Sequence, residues 1–182
     1  MNLKEKQLTS NYLFKGRIIN LRQDTALLPN GNTATREVIE HPGGVCVAAL
    51  TDNDELLFVR QWRYPYMEET LEIPAGKRDR LDEDPLECGK RELREETGAT
   101  AESYIDLQPM YPTPGYINEV IYCYLATGLT FGEQDTDEDE FLDVLRIPLE
   151  KAVEMVLSGE IKDAKTQIAV LKVKVLRDAG KI

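Results

Sequence analysis

The segment from Gly76 to Ala99, GKRDRLDEDPLECGKRELREETGA, constrains the fold and chemistry of this chain more than any other. It contains three glutamates, Glu92, Glu95 and Glu96, at relative positions zero, three and four. On an α-helix these positions share one face, where like charges repel each other by about 0.2–0.5 kcal/mol per pair. A divalent cation between the carboxylates would remove this repulsion, and oxygen ligands of this kind suit Mg²⁺ or Mn²⁺.

Signals for both ends of this helix are present in the same segment. Pro85 suits the first turn, and the acidic run Asp82–Asp84 places negative charge near the positive end of the helix dipole. Gly98 suits the C-terminal cap. An acidic helix face is by itself also compatible with an ordinary solvated surface, so the wider pattern has to decide.

The wider pattern resembles the box of the Nudix hydrolases. Gly76 is followed by Glu83, then by seven residues, and then by Arg-Glu-Leu-x-Glu-Glu-x-Gly-Ala ending at Ala99. The family usually leaves five residues between the glycine and the first glutamate, whereas Lys77–Asp82 make six here, with Asp82 in the usual position. The extra residue falls in the loop before the helix, where insertions are tolerated best, and the helical register is kept.

The resemblance implies hydrolysis of a diphosphate linked to another group, with Mg²⁺ as cofactor and Mn²⁺ as a possible substitute. The implied metal ligands are the carbonyl of Ala75 and the side chains of Glu92, Glu96 and Glu140. Glu95 either binds metal through water or acts on the nucleophile. Arg91 is grouped with the catalytic residues, either through a structural ion pair, with Glu83 as the candidate partner, or through a phosphate contact.

An acidic loop, Gly132–Glu140, precedes the strand-like segment FLDVLRIP. ADP-ribose pyrophosphatases of this family carry their catalytic loop at this place, and by that resemblance Glu138 is the general base. The plain alternative is a solvated acidic loop without a catalytic role.

Three segments outside the box resemble the ADP-ribose pyrophosphatase branch: TREVIEHPGGV, VRQWRYP with LEIPAG, and YPTPGYINE. Pro114, sixteen residues after Gly98, lies near the distance typical of that branch. The resemblance implies four substrate-binding residues, which are Arg36, Arg63, Glu72 and Glu119. The two arginines would bind the diphosphate as guanidinium forks or else form ion pairs. Glu119 would contact the terminal ribose, and Glu72 would bind either substrate or an arginine.

The implied reaction is therefore Mg²⁺-dependent cleavage of ADP-ribose to AMP and ribose 5-phosphate. One alternative is the same chemistry on another nucleoside diphosphate derivative, such as a nucleotide sugar or a dinucleotide. Another is a non-catalytic ADP-ribose sensor. Tyr12 and Phe14 either stack on adenine or pack in the core of a strand.

Composition excludes several other classes. A net charge of −11 argues against a nucleic-acid partner, because a duplex binder needs a basic surface. His41 is the only histidine, which excludes a histidine pair or a His-rich zinc site. Cys46 and Cys123 lie in apolar runs, and Cys88 has no partner for a catalytic thiol. No membrane-spanning run or signal peptide is visible, so we expect a cytoplasmic protein without a membrane partner.

Strand and helix patterns predict an α/β fold. In the Nudix family this is an α/β/α sandwich with a mixed sheet, preceded here by an N-terminal antiparallel β extension. Residues 1–42 are the predicted extension, which mediates homodimerisation, and residues 43–182 the predicted Nudix domain. Within the extension, Met1–Asn11 is expected to be a polar entry segment. The last helix is expected to carry an apolar stripe formed by Ala164, Ile168, Leu171 and Val175.

Overall fold

The computed structural model describes residues 2–136 and 140–182 of the chain. In these ranges the elements follow in the order β1 (Lys6–Lys15), β2 (Asn20–Leu27), β3 (Thr33–Glu40), β4 (Gly44–Ala49), β5 (Glu55–Arg63), β6 (Glu68–Glu72), β7 (Ala75–Lys77), α1 (Pro85–Thr97), β8 (Ala99–Asp106), β9 (Ile121–Phe131), β10 (Leu142–Pro148), α2 (Leu149–Ser158) and α3 (Ala164–Asp178). They form two compact units. The N-terminal unit comprises the residues up to Gly43 together with Tyr111–Val120, and the main unit comprises Gly44–Met110 and Ile121–Ile182.

The main unit is built around β4, which is buried at all six positions. It lies in a four-stranded sheet of order β7-β4-β9-β8, in which β4 and β9 are parallel and the other pairs are antiparallel. A three-stranded antiparallel sheet of order β10-β5-β6 completes the unit. Parallel neighbours need a long connection, and the chain from β4 to β9 supplies it, including α1. The predicted mixed sheet is therefore confirmed.

Successive side chains of β4 point to opposite faces of the sheet, and this explains how helices pack on both sides of it. Cys46 and Ala48 belong to one hydrophobic cluster, which they share with buried residues of α2 and α3. Val47 and Ala49 belong to a second cluster, which contains Leu93 of α1. Helices therefore cover both faces of the sheet, and the predicted α/β/α sandwich is confirmed. Each large apolar side chain buried in these layers contributes about 1.5–3 kcal/mol to stability.

Helix α1 begins and ends where the sequence signals predict. The side chain of Asp84 caps its start by accepting hydrogen bonds from the backbone N–H groups of Leu86 (2.9 Å) and Glu87 (3.1 Å). Gly98 ends it with a left-handed conformation at φ 68°. The backbone N–H of Gly132 donates to the carbonyl of Gly98 at 2.8 Å, so the loop after β9 is attached to the end of this helix.

Helix α3 is present as predicted, but it buries a different face from the predicted one. Ile168, Leu171 and Val175 are exposed. The buried residues are Thr166, Ala169, Val170 and Val173. Two stripes with helical spacing overlap in this segment, and the stripe with the smaller residues faces the sheet because it allows closer packing.

The N-terminal unit contains an antiparallel sheet of order β1-β2-β3. The predicted polar entry segment is wrong, because β1 already begins at Lys6, which pairs with Leu27 of β2. All ten residues of β1 are exposed, so backbone pairing rather than apolar burial holds the strand in place. Tyr12 and Phe14 are about half exposed, at 49% and 56%, which contradicts a place in the core for either side chain.

The proline-rich segment 111–120 joins the same unit through β3. Ile39 donates its backbone N–H to the carbonyl of Tyr116 at 2.8 Å and accepts from the N–H of Asn118 at 3.1 Å. The side chain of Asn118 in turn accepts from the backbone N–H of His41 at 2.9 Å. His41 is thus bonded to Asn118 through its backbone, and its Nδ1 accepts the backbone N–H of Gly43 at 3.1 Å. Across the described ranges, no helix is both long enough and apolar enough to cross a membrane.

Candidate active site

Helix α1 carries the three glutamates of the predicted site, and they differ in burial. Glu92 and Glu96 are buried, at 9% and 3% exposure, whereas Glu95 is partly exposed. The pairs separated by three and four residues lie on neighbouring turns of the helix, as the spacing requires. A carboxylate this deeply buried loses its hydration, so Glu92 and Glu96 need an explanation that a solvated helix face does not provide.

The box glycine makes room for one of these carboxylates. A Cβ atom added to Gly76 would lie 1.9 Å from Cδ of Glu92 and about as close to both carboxylate oxygens. A side chain at this position would displace the Glu92 carboxylate, so the absence of a Cβ at Gly76 makes room for it. Strand β7 thus lies beside the face of α1 that carries Glu92.

The second buried carboxylate touches the residue before that glycine. The backbone N–H of Ala75 donates to Oε2 of Glu96 at 3.0 Å. Ala75, whose carbonyl is a predicted metal ligand, therefore contacts Glu96 through its backbone N–H. The short strand β7 holds Ala75 in place by pairing with β4, where Ala75 is opposite Cys46.

Electrostatics disfavour the charged forms of both buried glutamates. Burial raises the pKa of Glu92 to about 7, with Glu95 adding repulsion and Arg91 opposing the rise. Burial also raises the pKa of Glu96 to about 8, against the hydrogen bond from Ala75 and with added repulsion from Glu92. Arg91 forms an ion pair with Glu92 at 2.9 Å, but no described residue forms one with Glu96.

These residues fit a divalent cation. Within residues 2–136 and 140–182, no group of three or more His, Cys, Asp or Glu side chains is arranged to hold a metal ion. The Glu92 carboxylate nevertheless lies next to Gly76, and the Glu96 carboxylate is bonded to the N–H of the preceding residue, Ala75. A cation bound between them would remove the penalty that raises both pKa values. The donors are all oxygens, as Mg²⁺ and Mn²⁺ require.

Arg91 contacts carboxylates of the box itself. Its guanidinium lies 3.4 Å from Glu83 and 3.0 Å from Glu95, in addition to its contact with Glu92. Glu83 also accepts the backbone N–H of Asp79 at 2.7 Å, so it fixes the loop before the helix. These contacts favour the ion-pair alternative for Arg91 over direct phosphate contact.

The extra residue in the loop before α1 does not change the contacts that Glu83 and Arg91 make. Asp82, which holds the usual position of the first box glutamate, is highly exposed and lies 3.4 Å from exposed Arg80. Glu83 instead makes the contacts with the loop and with Arg91. The insertion therefore bulges outward at the surface, and the helix keeps its register.

The start of the acidic loop runs along the end of α1. The side-chain amide of Gln134 donates to the carbonyl of Glu96 at 2.6 Å, and the backbone N–H of Asp135 donates to the carbonyl of Glu95 at 3.0 Å. Glu140 raises the pKa of both Glu92 and Glu96, so it lies within electrostatic range of them. Glu138, the predicted general base, lies outside the described residues.

A second buried carboxylate cluster lies in the same unit, around Glu72. Arg63 donates to it from Nε at 2.6 Å and from Nη2 at 2.7 Å, so the pair is bidentate. Of the two roles predicted for Glu72, the arginine pair is the one present. Lys165 forms a further ion pair with Glu72, and Thr70 donates its hydroxyl at 2.6 Å. Burial alone would raise the pKa of Glu72, but Arg63 and Lys165 lower it to about 2.

Sequence reasoning did not find the three residues at the start of α3 that join this cluster: Asp163, Lys165 and Thr166. Asp163 caps α3 and lies 3.1 Å from Lys165. Thr166 is fully buried and accepts the backbone N–H of Ile73 at 3.0 Å. One signal was available, since a lysine in the first turn of a helix opposes the helix dipole by about 0.3–1 kcal/mol and is favoured there by an acidic partner.

The remaining substrate candidates belong to the N-terminal unit. Arg36 donates to Glu5 from Nε at 3.0 Å and from Nη2 at 2.7 Å, while its side chain stays largely exposed. Glu119 lies 3.2 Å from Nδ1 of His41. Both residues therefore have partners within their own unit, as does the segment 111–120 that carries Pro114.

The cysteines take no part in this chemistry. Cys46, Cys88 and Cys123 are all buried and free. Burial raises the pKa of Cys88, the one within the box, to about 12, so it remains a neutral thiol at physiological pH.

Comparisons with known proteins agree with the geometry. A family model described as NUDIX domain matches residues 40–169, and one described as nucleoside diphosphate sugar hydrolase N-terminal domain matches residues 5–39. An ADP-ribose pyrophosphatase of Bacillus subtilis (strain 168) is 39% identical over 93% of this chain and 92% of its own length. A methanol dehydrogenase activator of Bacillus methanolicus is 40% identical over 92% of this chain and 91% of its own.

Among solved structures, an ADP compounds hydrolase superposes with a TM-score of 0.86 over the full length of both chains, at 22% identity. This likeness shows the same fold. The family models together match most of the chain, and the box they include is the one built around Gly76, Glu92 and Glu96. The chain therefore belongs to the Nudix family of hydrolases.

Proposed function

We propose that this Nudix hydrolase cleaves the diphosphate of ADP-ribose to AMP and ribose 5-phosphate with Mg²⁺ as cofactor. The observation that carries the proposal is the pair of buried carboxylates, Glu92 and Glu96, against Gly76. The extent of the identity to an ADP-ribose pyrophosphatase supports the substrate. Free, buried cysteines suit the reducing cytoplasm, which is the proposed compartment.

In this proposal Glu92, Glu96 and the carbonyl of Ala75 hold the cation, with Glu140 as an additional ligand and Mn²⁺ as a possible substitute. A bound Mg²⁺ would neutralise charge on the diphosphate and lower the pKa of a water molecule. Arg91 keeps the box carboxylates and the preceding loop in position through its contacts with Glu83 and Glu95. The buried environment strengthens each of these interactions.

A carboxylate is proposed to accept the proton of the attacking water. Glu138 of the acidic loop is the proposed general base, and Glu95, which is partly exposed beside Arg91, orients the nucleophile. The loop is attached to α1 near these groups through Gln134 and Asp135. No covalent intermediate is required, and the neutral thiol of Cys88 offers no nucleophile for one.

The proposed substrate-binding residues are Arg36, Arg63, Glu72 and Glu119. Arg63 remains 39% exposed while its Nε and Nη2 donate to Glu72, so part of its donor set is available for a diphosphate. Arg36 is the second proposed diphosphate ligand, which requires substrate to compete with Glu5. Glu119 is proposed for the terminal ribose, and Glu72 acts by holding Arg63.

We also propose a homodimer formed through the N-terminal extension, residues 1–42. Every residue of β1 is exposed, including the apolar side chains of Leu8, Leu13 and Phe14. An exposed strand edge with apolar side chains favours a second copy as its cover. Light scattering after gel filtration should give twice the mass of 20.7 kDa, and a monomer at all concentrations would contradict the proposal.

The test of function is a panel of nucleoside diphosphate derivatives with and without Mg²⁺. We expect ADP-ribose to be consumed fastest, with AMP and ribose 5-phosphate as products and no turnover in EDTA. The second candidate is a nucleotide sugar or a dinucleotide, which the match to the nucleoside diphosphate sugar hydrolase N-terminal domain favours. Turnover of such a compound without turnover of ADP-ribose would establish it. Binding of ADP-ribose without turnover would establish a sensor.

The assignment of the base has its own test. Glu138→Gln should lower kcat with little change in the Mg²⁺ concentration for half-maximal activity. Glu140→Gln should raise that concentration, because it removes a proposed ligand. If the two variants behave the other way round, the roles are exchanged.

A further inference from the structure

The carboxylate of Glu72 is shared by donors from three parts of the main unit. Arg63 contributes two hydrogen bonds from the end of β5, and Thr70 contributes one from β6. Lys165 contributes the fourth from the first turn of α3. An ionised carboxylate accepts about four hydrogen bonds, so these donors saturate it. Lys165 supplies the one bond that neither β5 nor β6 provides.

The three charged side chains of the cluster differ in how much of their surface is exposed. The side chains of Glu72 and Lys165 are 3% and 11% exposed, whereas that of Arg63 is 39% exposed. Lys165 is therefore buried behind the carboxylate, and Arg63 is the member that solvent or substrate reaches. Burial alone would lower the pKa of Lys165, but Glu72 and Asp163 raise it, so the ammonium stays charged.

The cluster lies close to the proposed metal ligands. Glu96 contributes to raising the pKa of Arg63, and Lys165 contributes to lowering that of Glu96, so these charges act on one another. A backbone route joins them as well. Thr166, next to Lys165, accepts from Ile73, and two residues later Ala75 donates to Glu96.

We propose that Lys165 is a positioning residue, which acts through Glu72 to hold the guanidinium of Arg63 for a diphosphate. The inference rests on the proposed function. Without Lys165, one lone pair of a buried carboxylate would lack its donor, which is costly. Arg63 already donates to Glu72 from two nitrogens, and a guanidinium drawn further onto Glu72 would present fewer donors to substrate.

The first experiment compares Lys165→Met with Lys162→Met in steady-state hydrolysis of ADP-ribose. Lys162 lies three residues earlier and forms an exposed ion pair with Glu68 at 2.7 Å, so its substitution is a matched control. We expect Lys165→Met to raise KM about tenfold with kcat within about threefold of wild type. Lys162→Met should leave both unchanged. Lys165→Arg, which keeps the charge, should recover most of the loss in KM.

The second experiment asks whether Lys165 acts through Arg63. Arg63→Ala should raise KM, and adding Lys165→Met should raise it by less than about twofold more, because the arginine to be positioned is gone. Independent, multiplying effects would overturn the inference. If Lys165→Met is too unstable to purify, Lys165→Gln serves in both experiments, since it lacks the charge and keeps a donor.

The outcomes separate the two proposals. A wild-type enzyme that hydrolyses ADP-ribose, with Lys165→Met as good as Lys162→Met in KM, upholds the function and overturns the role of Lys165. A wild-type enzyme that hydrolyses no nucleoside diphosphate derivative overturns the function, and the inference with it. A loss of thermal stability in Lys165→Met without a change in KM assigns the residue to structure alone and also overturns the inference.

Discussion

Glu72 and Glu96 are both buried carboxylates of the main unit, at 2% and 3% exposure, yet their electrostatics are opposite. Burial acts on both by disfavouring charge. Arg63 and Lys165 overcome it at Glu72 and lower the pKa to about 2, whereas the pKa of Glu96 rises to about 8. The protein places two cations in hydrogen-bond contact with Glu72, whereas the direct partner of the Glu96 carboxylate among the described residues is the N–H of Ala75.

The difference distinguishes a carboxylate that holds structure from one that is prepared for a ligand. A buried charge with its partners in place stabilises the fold only while those partners remain. A buried charge without a cation is a cost, which a bound metal ion would remove. Four substitutions or conditions test this contrast, and they follow in order of expected effect.

Glu96→Gln should affect activity most. We expect kcat to fall at least about 100-fold, because a proposed metal ligand is lost. The fold should persist, since an amide oxygen can still accept from Ala75 and no charge is left without a partner. Steady-state kinetics and circular dichroism measure the two effects. Addition of Mg²⁺ should also raise the melting temperature less than in wild type. Near-normal turnover would place the metal elsewhere.

Glu72→Gln should affect stability most. It leaves Arg63 and Lys165 without their shared counter-charge, and breaking a buried pair in this way costs about 3 kcal/mol in the free energy of unfolding. Urea unfolding measures the change. Glu69→Gln, at an exposed residue of the same strand, is the control and should change stability by less than about 0.5 kcal/mol. If Glu72→Gln has the same free energy of unfolding as wild type, the proposed difference between Glu72 and Glu96 is wrong.

Acid should reduce the difference in the free energy of unfolding between wild type and Glu72→Gln. The pKa of Glu72 is lowered on folding, so its stabilisation is present above the ordinary pKa and is lost as the pH falls towards about 2. Between about pH 5 and pH 3 the difference in unfolding free energy should shrink by about 2 kcal/mol. Urea titrations of both proteins at several pH values measure it, and a constant difference would contradict the lowered pKa.

Thr166→Val should have the smallest effect of the four. It removes the acceptor for the buried N–H of Ile73 while keeping the shape of the side chain. We expect a loss of about 1–2 kcal/mol in unfolding free energy. Thr100→Val, which removes an exposed hydroxyl pair with Thr130, is the matched control and should cost less. Equal costs would mean that the start of α3 is not fixed by this bond.

The sequence predicted the site best where one element carries it. The spacing of Glu92, Glu95 and Glu96 depends only on helical periodicity, and Asp84 and Gly98 mark the ends of that helix. The layered fold was predictable for a similar reason, because the apolar run of β4 indicates a strand buried on both faces. The resemblance to a known family supplied the architecture around it.

The cluster around Glu72 was not predictable to the same extent, because its members are far apart in sequence. Lys165 meets Glu72 across 93 residues, and no local pattern encodes such a contact. The choice of face on α3 was missed for a related reason. Two stripes have helical spacing there, and close packing on the sheet favours the one with Ala169 and Thr166.

The contact between Gly76 and the carboxylate of Glu92 has a consequence for how this sequence can vary. Many glycines are explained by backbone conformation, but at Gly76 a side chain is disfavoured by an acid sixteen residues later in the same motif. Gly115, where an added Cβ meets nothing within 4 Å, has no such steric constraint. At position 76 a larger residue would instead require the Glu92 carboxylate to move, so the two positions constrain each other.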